Sequence, residues 1–519
     1  MLGGVAMRSL VTGEQMKAID RYTIEEIGIP SLVLQERAAC CVADEVRKRV
    51  QKGAFVWAAC GTGNNGADAI AAARMLFLDG YYVTVLLCGN RERETEECRL
   101  QRSIAEKLGI PVTEWTDFIP GRCQVLIDGV FGVGLARNVE GDYRRFLEML
   151  KGQEKELTVA VDMPSGIHSD TGRMMGIALK ADVTVTFGWE KRGTVLYPGR
   201  DFAGTVVIGD IGFPQISFQK AVEQSGESKQ TAFSYGPEDL NLIPKRPAYS
   251  NKGTFGHVLI VAGSVNMSGA AYLSAKAAYR CGAGLVKILT PEANRQILQS
   301  QIPEAIISTY EIEAVEEEPE RFGRFLEEQC VWADAVVLGP GLGTEPYVRN
   351  LVPAVLSAAC SAIILDADGL NTIAANPEMT RFYTDSVIIT PHMGEMARLT
   401  GQTIKDLQEN IAEAASGYAR RYGITCVLKD AATAAADREG RLFLNTSGNS
   451  AMAKAGSGDV LTGAIAALCA QGMEPAEGAF LGVYLHGLAG DLLRREGGAY
   501  GLLAGELADA LGRVMRQEE

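Results

Sequence analysis

The sequence has few of the residues from which several common kinds of site are built. Four histidines occur among the 519 residues, and none forms a spacing typical of a zinc site. The eleven cysteines are scattered, odd in number and contain no CxxC pair, which favours buried, reduced thiols over a disulfide framework. No stretch approaches about 18 uninterrupted apolar residues, and the N-terminal residues lack a charged stretch followed by a long apolar core. We therefore expect a cytoplasmic protein that has no membrane partner.

Basic residues are also fewer than acidic residues. The chain carries 50 lysines and arginines against 64 aspartates and glutamates, a formal net charge of −14. This balance argues against non-specific binding to nucleic acid or to anionic membranes, although local basic sites for phosphates remain compatible with it. With 47% apolar and 22% charged residues, the composition is that of a globular protein with material for two large cores.

Short apolar runs alternate with helical patterns in the first half. Strands are predicted at Phe55–Cys60, Tyr82–Cys88, Val125–Ile127, Thr158–Val161, Val183–Phe187 and Val206–Ile208. Helical patterns lie between several of them, at Ala67–Asp79 and Thr95–Leu108. This alternation predicts an α/β domain with a parallel, doubly wound, Rossmann-like sheet. In such sheets ligands bind at the carboxyl ends of the strands.

The second half repeats the alternation with different motifs. Strands are predicted at His257–Ala262, Val286–Leu289, Ala335–Leu338, Ala362–Leu365, Val387–Thr390 and Cys426–Leu428. The polar segment from Gln215 to about Asn241 reads as a linker with one short helix, and we place the domain boundary near residue 225. No period is shared by the halves. The sequence therefore predicts two different α/β domains, residues 1–225 and 226–519.

The loop AKAGSGD, Ala453 to Asp459, is the most informative motif of the second half. It runs directly into the apolar segment Val460–Gly472. Small residues allow backbone N–H groups to converge at a helix N-terminus, where they bind anions. An aspartate there repels a phosphate but is well placed to take a proton from a hydroxyl that attacks one. The motif predicts a site that handles a nucleotide and a hydroxyl together.

Polar residues follow several strands of the first half. The turn GTGNNGADA spans residues 61–69, and Asp128, Asp162 and Ser165 follow later strands. Asn65, Asp128 and Ser165 are expected to meet at one sheet edge, where their oxygens suit a weakly held monovalent cation better than zinc. Asp162 is a candidate acid or base. The alternative is that these residues form Asx turns and helix caps.

At this point the first half resembles a known family. GTGNNGADA, DGVFGVGL with Arg137, and VDMPSGIHSDTG are similar to the YjeF N-terminal domain, the epimerase of hydrated NAD(P)H, over about residues 8–215. The resemblance implies a potassium ion at Asn65, Asp128 and Ser165, and Asp162 as a catalytic residue. It also implies a substrate site made of Asn64, Asn65, Gly66, Ala67, Asp68, Gly132, Val133, Gly134, Leu135, Ala136, Arg137, Asn138, Asp162 and Lys191. In that family the loop usually carries glycines where this chain has Ala67 and Ala69.

The second half resembles ribokinase-like enzymes, and in particular the ADP- or ATP-dependent dehydratase of hydrated NAD(P)H, over about residues 236–515. The resemblance is carried by KGTFGHVLIVAGS, GAGLVKILTP, DADGLN, TPHMGEMARL and SGNSAMAKAGSGDVLTG. It implies that Asp459 is the catalytic base and that the hydrated substrate meets Ala270, Gly343, His392 and Asp459. It implies a nucleotide site at Lys429, Asp430, Ala431, Ala432, Thr433, Gly456 and Gly458. Asp430 and Lys454 depart from the usual pattern. His392 is equally compatible with a helix cap, and His486 with a packing role.

Nearly the whole chain thus resembles the bifunctional NAD(P)H-hydrate repair family. The resemblance implies that the first domain interconverts the R and S hydrates of NADH and NADPH. The second phosphorylates the hydroxyl of the S hydrate and eliminates phosphate, which returns NAD(P)H and leaves AMP when ADP is used. It implies potassium and magnesium ions, ADP or ATP as co-substrate, and a homo-oligomer. The alternatives are a ribokinase-like small-molecule kinase with a regulatory front domain, and a non-catalytic scaffold.

Overall fold

The structure, a computed structural model, describes residues 7–224, 231–359 and 361–516. The chain divides into two compact units, Ser9–Ala232 and Phe233–Glu519, the latter together with Met1–Arg8. The boundary predicted near residue 225 lies outside the described residues. Within the described residues, no helix is both long enough and apolar enough to span a membrane.

The first unit is built around seven parallel strands in the order β4-β3-β2-β5-β6-β7-β9. The strands in chain order are β1 (Arg8–Val11), β2 (Phe55–Cys60), β3 (Tyr82–Leu87), β4 (Val112–Glu114), β5 (Val125–Gly129), β6 (Leu157–Val161), β7 (Val183–Phe187), β8 (Glu190–Lys191) and β9 (Thr205–Gly209). The short strand β1 pairs in parallel with β8. The helices are α1 (Gly13–Tyr22), α2 (Ser31–Arg49), α3 (Asn64–Leu78), α4 (Glu96–Lys107), α5 (Gly141–Gly152), α6 (Arg192–Val195), α7 (Gly199–Ala203) and α8 (Gln215–Gln224).

Helices cover both faces of this sheet. Alternate residues of β2 point to opposite faces. Val56 and Ala58 belong to a core cluster with residues of α2 and α3, whereas Trp57 and Ala59 join a cluster with residues of α5. The prediction of a doubly wound parallel sheet is confirmed.

Helix α3 illustrates why the sequence folds in this way at the candidate site. Its alanines are good helix formers, and their small side chains allow close packing on the sheet. A β-carbon placed on Gly129 of β5 would lie 2.3 Å from the methyl of Ala69. Among described residues other than glycine, only Asp162 and Ala367 have positive φ. Ala67 and Ala69 therefore occupy ordinary helical backbone and place no strain on the turn.

The second unit contains ten strands in the order β13-β12-β11-β14-β15-β16-β17-β18-β19-β10. They are β10 (Ala232–Ser234), β11 (His257–Val261), β12 (Leu285–Pro291), β13 (Ile306–Tyr310), β14 (Ala335–Leu338), β15 (Ala362–Leu365), β16 (Val387–Ile389), β17 (Thr425–Leu428), β18 (Ala434–Ala436) and β19 (Leu442–Leu444). Its helices are α9 (Ser268–Arg280), α10 (Arg295–Gln301), α11 (Ile312–Glu317), α12 (Pro319–Val331), α13 (Val348–Ala358), α14 (Asp368–Ala375), α15 (Met393–Thr400), α16 (Ile404–Glu409), α17 (Ile411–Tyr422), α18 (Ser457–Ala470), α19 (Pro475–Gly497) and α20 (Ala504–Val514).

Most of this second sheet is parallel, but β18 runs antiparallel to both β17 and β19. These two hairpins were not predicted, because β18 consists of three alanines, which are poor strand formers. The apolar helix α18 packs against α9 and contributes to the core cluster of the unit, in which Val460, Ala464 and Ile465 are fully buried. This packing fixes the N-terminus of α18 at the carboxyl ends of the parallel strands.

Candidate active sites

A cavity of about 580 Å³ lies at the carboxyl ends of the strands of the first unit. It is lined by predicted residues of the turn after β2, the loop after β5, the residue after β6 and strand β8, namely Asn64, Asn65, Asp68, Gly132, Val133, Gly134, Leu135, Asp162 and Lys191. The other predicted residues do not line it, namely Gly66, Ala67, Ala136, Arg137 and Asn138. Most of the predicted epimerase site is therefore brought together around one cavity.

The start of α3 forms one wall of the cavity. Gly63 caps the helix without any side-chain hydrogen bond, so its first backbone N–H groups are available to an anion. Gly66 is required here because a β-carbon on it would lie 2.0 Å from the carbonyl oxygen of Gly61. Gly66 acts by allowing this tight turn, which explains why it lies behind the wall and not on it.

Asp162 lines the same cavity and has an unusual backbone conformation. Its φ is 64°, a conformation that costs a residue with a β-carbon about 1–3 kcal/mol and is often retained at functional sites. Its Oδ1 accepts hydrogen bonds from the Lys191 ammonium group at 2.5 Å, Thr186 Oγ1 at 3.2 Å and the Phe187 amide at 3.4 Å. Lys191 is fully buried and also donates to Thr186 Oγ1 and the Phe187 carbonyl. The three contacts to Oδ1 orient the Asp162 carboxylate, and the other two hold the Lys191 ammonium group in place.

The cavity carries further acidic groups. Asp20 of α1, Asp68 of α3 and Glu97 of α4 line it together with Asp162. Burial, and then the charges of Asp162 and its acidic neighbours, raise the pKa of Asp68 well above its usual range. The pKa of Asp20 is raised for the same reasons. This wall therefore suits hydroxyl and amide groups of a ligand, while the N-terminus of α3 suits its phosphates.

Asp128 and Ser165 lie in direct contact below the cavity. Ser165 donates to Asp128 through its hydroxyl at 2.5 Å and its amide at 2.8 Å. Burial raises the pKa of Asp128 to about 6. The Asn65 amide nitrogen is buried and has no hydrogen-bond partner among the described residues, and Asn65 Oδ1 would lie 2.8 Å from a β-carbon placed on Gly132. Of the predicted cation residues, Asp128 and Ser165 thus form a buried, hydrogen-bonded pair, while the Asn65 amide nitrogen has no partner among the described residues.

In the second unit, three segments converge at the start of α18. Lys429, which follows β17, donates to Asp366 Oδ1 at 2.7 Å, and Asp366 follows β15. A β-carbon on Gly458 would lie 3.3 Å from Lys429 Nζ and 3.4 Å from Asp366 Oδ2. Gly456 has φ of 91°, which favours glycine and turns the chain into α18. The structure therefore brings predicted Lys429, Gly456, Gly458 and Asp459 together.

Asp459 lies in the first turn of α18 and is half-buried. Burial is the main cause that raises its pKa to about 7, and the charge of Asp366 adds to it, whereas Lys429 opposes it. A carboxylate with this pKa is well matched to take a proton near neutral pH. The carboxyl group of Asp459 accepts no hydrogen bond from the described residues, so it is free to contact a ligand.

Two other predicted substrate residues contact the elements around Asp459. The Gly343 amide donates to Asp368 Oδ2 at 2.8 Å, and Asp368 contributes to the raised pKa of Asp459. Ala270 packs against Gly341, where a β-carbon would lie 2.9 Å from the Ala270 methyl. These contacts join the loop after β14, which carries Gly341 and Gly343, to the first turns of α9 and α14.

His392 caps helix α15. Its Nδ1 accepts from the amides of Gly394 at 2.9 Å and Glu395 at 3.3 Å. Burial and the positive charges of Lys429 and Arg398 lower its pKa, so the ring is neutral at pH 7. The side chain is 55% exposed, and its Nε2 lies 3.4 Å from Glu395 Oε1. The cap alternative is therefore confirmed, and it does not prevent contact with a ligand.

The two departures from the usual sequence pattern make no contact with Asp459. The Asp430 side chain is exposed and forms no hydrogen bond or ion pair with the described residues. Lys454 donates to the carbonyl of Tyr500. Ala431, Ala432 and Thr433 lie in the turn between β17 and β18, and their predicted nucleotide contacts stay a prediction.

Comparison with known proteins finds a matching family for each unit. Residues 31–193 match the family described as YjeF-related protein N-terminus, and residues 258–513 match the family described as NAD(P)H-hydrate dehydratase. A protein of Moorella thermoacetica, "Bifunctional NAD(P)H-hydrate repair enzyme Nnr", is 34% identical over 529 residues, which cover 98% of this chain and 97% of that protein. The chain belongs to the bifunctional NAD(P)H-hydrate repair family.

The protein of the same name from Thermofilum pendens is 34% identical over 514 residues, which cover 97% of this chain and 95% of that protein. These two relatives confirm the predicted family. A crystal structure of ADP/ATP-dependent NAD(P)H-hydrate dehydratase from Bacillus subtilis, co-crystallized with ATP/Mg²⁺, is 36% identical with a TM-score of 0.47, and the match covers 53% of this chain and 95% of that chain.

Sequence reasoning missed some residues of these repair-family sites. Asp366 contacts Lys429, and Glu395 of α15 accepts from the His392 amide at 2.8 Å. His486 of α19 packs against the start of α18, where its Nε2 lies 2.9 Å from the carbonyl oxygen of Ser457, as expected of a packing residue. Asp366 carried a usable signal, since it directly follows a buried apolar run.

Proposed function

We propose that this chain repairs hydrated NADH and NADPH by two reactions, an epimerisation in the first unit and a nucleotide-dependent dehydration in the second. The observation that carries the proposal is the position of Asp459. A half-buried carboxyl group with a pKa of about 7 lies in the first turn of a helix whose amide groups can hold a phosphoryl group.

For the dehydration, Asp459 takes the proton of the substrate hydroxyl while the hydroxyl oxygen attacks the terminal phosphoryl group of ADP or ATP. The amides of Gly456 and Gly458 and the ammonium group of Lys429 stabilise the charge on the phosphoryl oxygens. Phosphate is a much better leaving group than hydroxide. The C–O bond then breaks, phosphate departs, and loss of a proton from the neighbouring carbon restores the reduced nicotinamide ring.

For the epimerisation, the substrate phosphates lie at the N-terminus of α3 and the hydrated ring lies near Asp162. The contacts of Asp162 with Lys191 and Thr186 fix the carboxylate in a single orientation before the substrate binds. A carboxylate oriented in advance contributes more to the reaction rate than the same group on a mobile loop.

Potassium and magnesium are part of the proposal. The oxygens of Asn65, Asp128 and Ser165 fit a monovalent cation, because a positive charge would offset the burial that raises the pKa of Asp128. Potassium bound there would order the loops that carry Phe131 and Ser165. Within the described residues, no group of three or more acidic, histidine or cysteine side chains is suited to hold a metal. This fits magnesium that arrives on the nucleotide phosphates, where it would neutralise charge. We also propose a cytoplasmic homo-oligomer.

The test is incubation of the full chain with a mixture of R and S hydrates of NADPH, magnesium, potassium and ADP or ATP. The expected result is return of the absorbance band of reduced nicotinamide for the whole mixture, with one phosphate released for each molecule repaired. Recovery of the S hydrate alone would contradict the epimerase half. Accumulation of a phosphorylated substrate without recovery would identify a kinase and contradict the dehydratase half.

A further inference from the structure

Two carboxyl groups in the cavity of the first unit, those of Asp162 and Asp68, differ in their hydrogen-bond partners. Asp162 Oδ1 is contacted by a fully buried ammonium group at 2.5 Å, so Asp162 is the ionised partner of Lys191. Asp68 is half-buried, and neither of its carboxyl oxygens accepts a hydrogen bond from the part of the chain that the structure describes. When two carboxyl groups of one site differ in this way, one commonly acts as acid and the other as base.

The charges that face Asp68 come from several elements. Acidic groups predominate, and the ionisable residues of the cavity lining are Lys17 and Asp20 of α1, Glu97 of α4, Tyr143 of α5, Asp162 and Lys191. Lys191 is engaged by Asp162, and Glu97 accepts from Ser31 Oγ at 3.0 Å. Burial and the acidic neighbours keep Asp68 protonated well above the usual range of an aspartate.

Both groups line the same cavity. Asp68 lies on α3, which follows β2, and Asp162 directly follows β6, with β5 between these strands. The two carboxyl groups therefore reach the cavity from different elements, and the charge of Asp162 acts on Asp68. A ligand in the cavity can contact both of them.

We propose that Asp68 is the proton donor of the epimerisation and that Asp162 is the matching proton acceptor. This proposal rests on the proposed epimerase function and assigns the groups that carry it out. Asp68 is then a catalytic residue, whereas Lys191 is a positioning residue that acts through Asp162.

The reaction balances with water as the only co-reactant. Asp68 gives its proton to the hydroxyl of the substrate carbon bonded to the ring nitrogen. The C–O bond breaks with its electron pair on oxygen, water leaves, and the nitrogen lone pair forms a C=N bond. Water then adds to the other face of that carbon, and its proton passes to Asp162. The opposite epimer uses the two groups in exchanged roles, and proton exchange with solvent resets them.

The decisive variants are Asp68→Asn and Asp68→Glu in the full chain. Asparagine keeps the shape but cannot donate a proton, so we expect kcat of epimerisation to fall at least about 100-fold while KM changes little. The parent should lose epimerisation as alkaline pH deprotonates Asp68, and the residual activity of Asp68→Asn should lack this alkaline decline. Asp68→Glu should recover part of kcat. In water enriched in oxygen-18, the parent should exchange the substrate hydroxyl oxygen at the rate of epimerisation.

Two controls keep the proposal open to contradiction. Asp117→Asn removes an exposed carboxylate outside the cavity lining and should leave both activities unchanged. Dehydratase activity of the same chain shows that each variant is folded. The proposal would be overturned if Asp68→Asn epimerised the substrate at the parent rate, or if this substitution changed KM alone. It would also be overturned if the parent reaction left the original hydroxyl oxygen on the substrate. A parent that does not epimerise at all would instead overturn the proposed function.

Discussion

The two units place an aspartate and a lysine at their sites in different arrangements. In the first, Lys191 is fully buried and contacts the candidate catalytic Asp162 directly. In the second, Lys429 contacts Asp366, and the candidate base Asp459 keeps an unpaired carboxyl group whose pKa is raised to about 7. A direct ion pair holds a carboxylate charged and oriented, whereas an unpaired, partly buried carboxyl group is left ready to gain and lose a proton.

The comparison predicts its largest effect at Asp459. Asp459→Asn removes the base and keeps the shape, so dehydration should fall about 10²- to 10⁴-fold while epimerisation stays at the parent rate. The measurement is recovery of reduced nicotinamide from the pure S hydrate, with nucleotide binding followed by calorimetry. Asp385→Asn, which removes an exposed carboxylate paired with Arg438, is the control and should change neither activity. Loss of both activities in Asp459→Asn would show that the sites are not independent.

The second prediction compares the two lysines. Lys191→Met leaves a buried carboxylate without its partner and should lower the free energy of unfolding of the first unit by about 3–5 kcal/mol. Lys429→Met should cost less, about 1–3 kcal/mol, because Lys429 is 21% exposed and water can enter its place beside Asp366, whose own side chain is 2% exposed. Urea unfolding, with the two units followed separately, measures both. Equal losses would mean that the direct ion pair is not what distinguishes the first site.

The fold was more predictable from the sequence than the pairings at its sites. Apolar runs such as Phe55–Cys60 and Ala335–Leu338 coincide with strands, since parallel strands buried on both faces have continuous apolar sequences. Strand β18 was missed because three alanines carry no strand signal. Strand β8 was missed because Glu190–Lys191 is short and polar although it is buried.

The contacts of the sites depend on long-range geometry. Lys429 and Asp366 are 63 residues apart, and one sequence does not reveal that they pair. The same holds for Asp162 and Lys191, which were both assigned to the substrate site but without their mutual contact. Motifs therefore located the residues at the correct sheet edges, while burial and pairing, which set the protonation of each carboxyl group, required coordinates.

The third prediction is a pH dependence of dehydration. Asp459 acts as a base only when it is ionised, and its pKa is about 7. As the pH falls below 7, kcat/KM should therefore decline about tenfold per pH unit, which corresponds to about 1.4 kcal/mol, and it should be level above pH 8. Initial rates with the S hydrate at saturating nucleotide between pH 5 and 9 test this. A rate that stays level down to pH 5 would show that no carboxyl group with a pKa of about 7 limits dehydration, and would contradict the protonation proposed for Asp459.

The smallest effect concerns the two anion loops, which use glycine for different reasons. In the first, Gly66 is required by its contact with the Gly61 carbonyl, whereas Gly456 in the second is required by its positive φ. Ala67 meets neither condition. Ala67→Gly should therefore lower the free energy of unfolding by only about 2 kcal/mol, through lost helix propensity and one buried methyl, with KM for the hydrates unchanged. Gly66→Ala is the matched opposite change, and it should abolish epimerisation because the turn has no room for a β-carbon. If Ala67→Gly lowered KM instead, the methyl group would be obstructing the phosphates, and the helical position of Ala67 would not account for its tolerance.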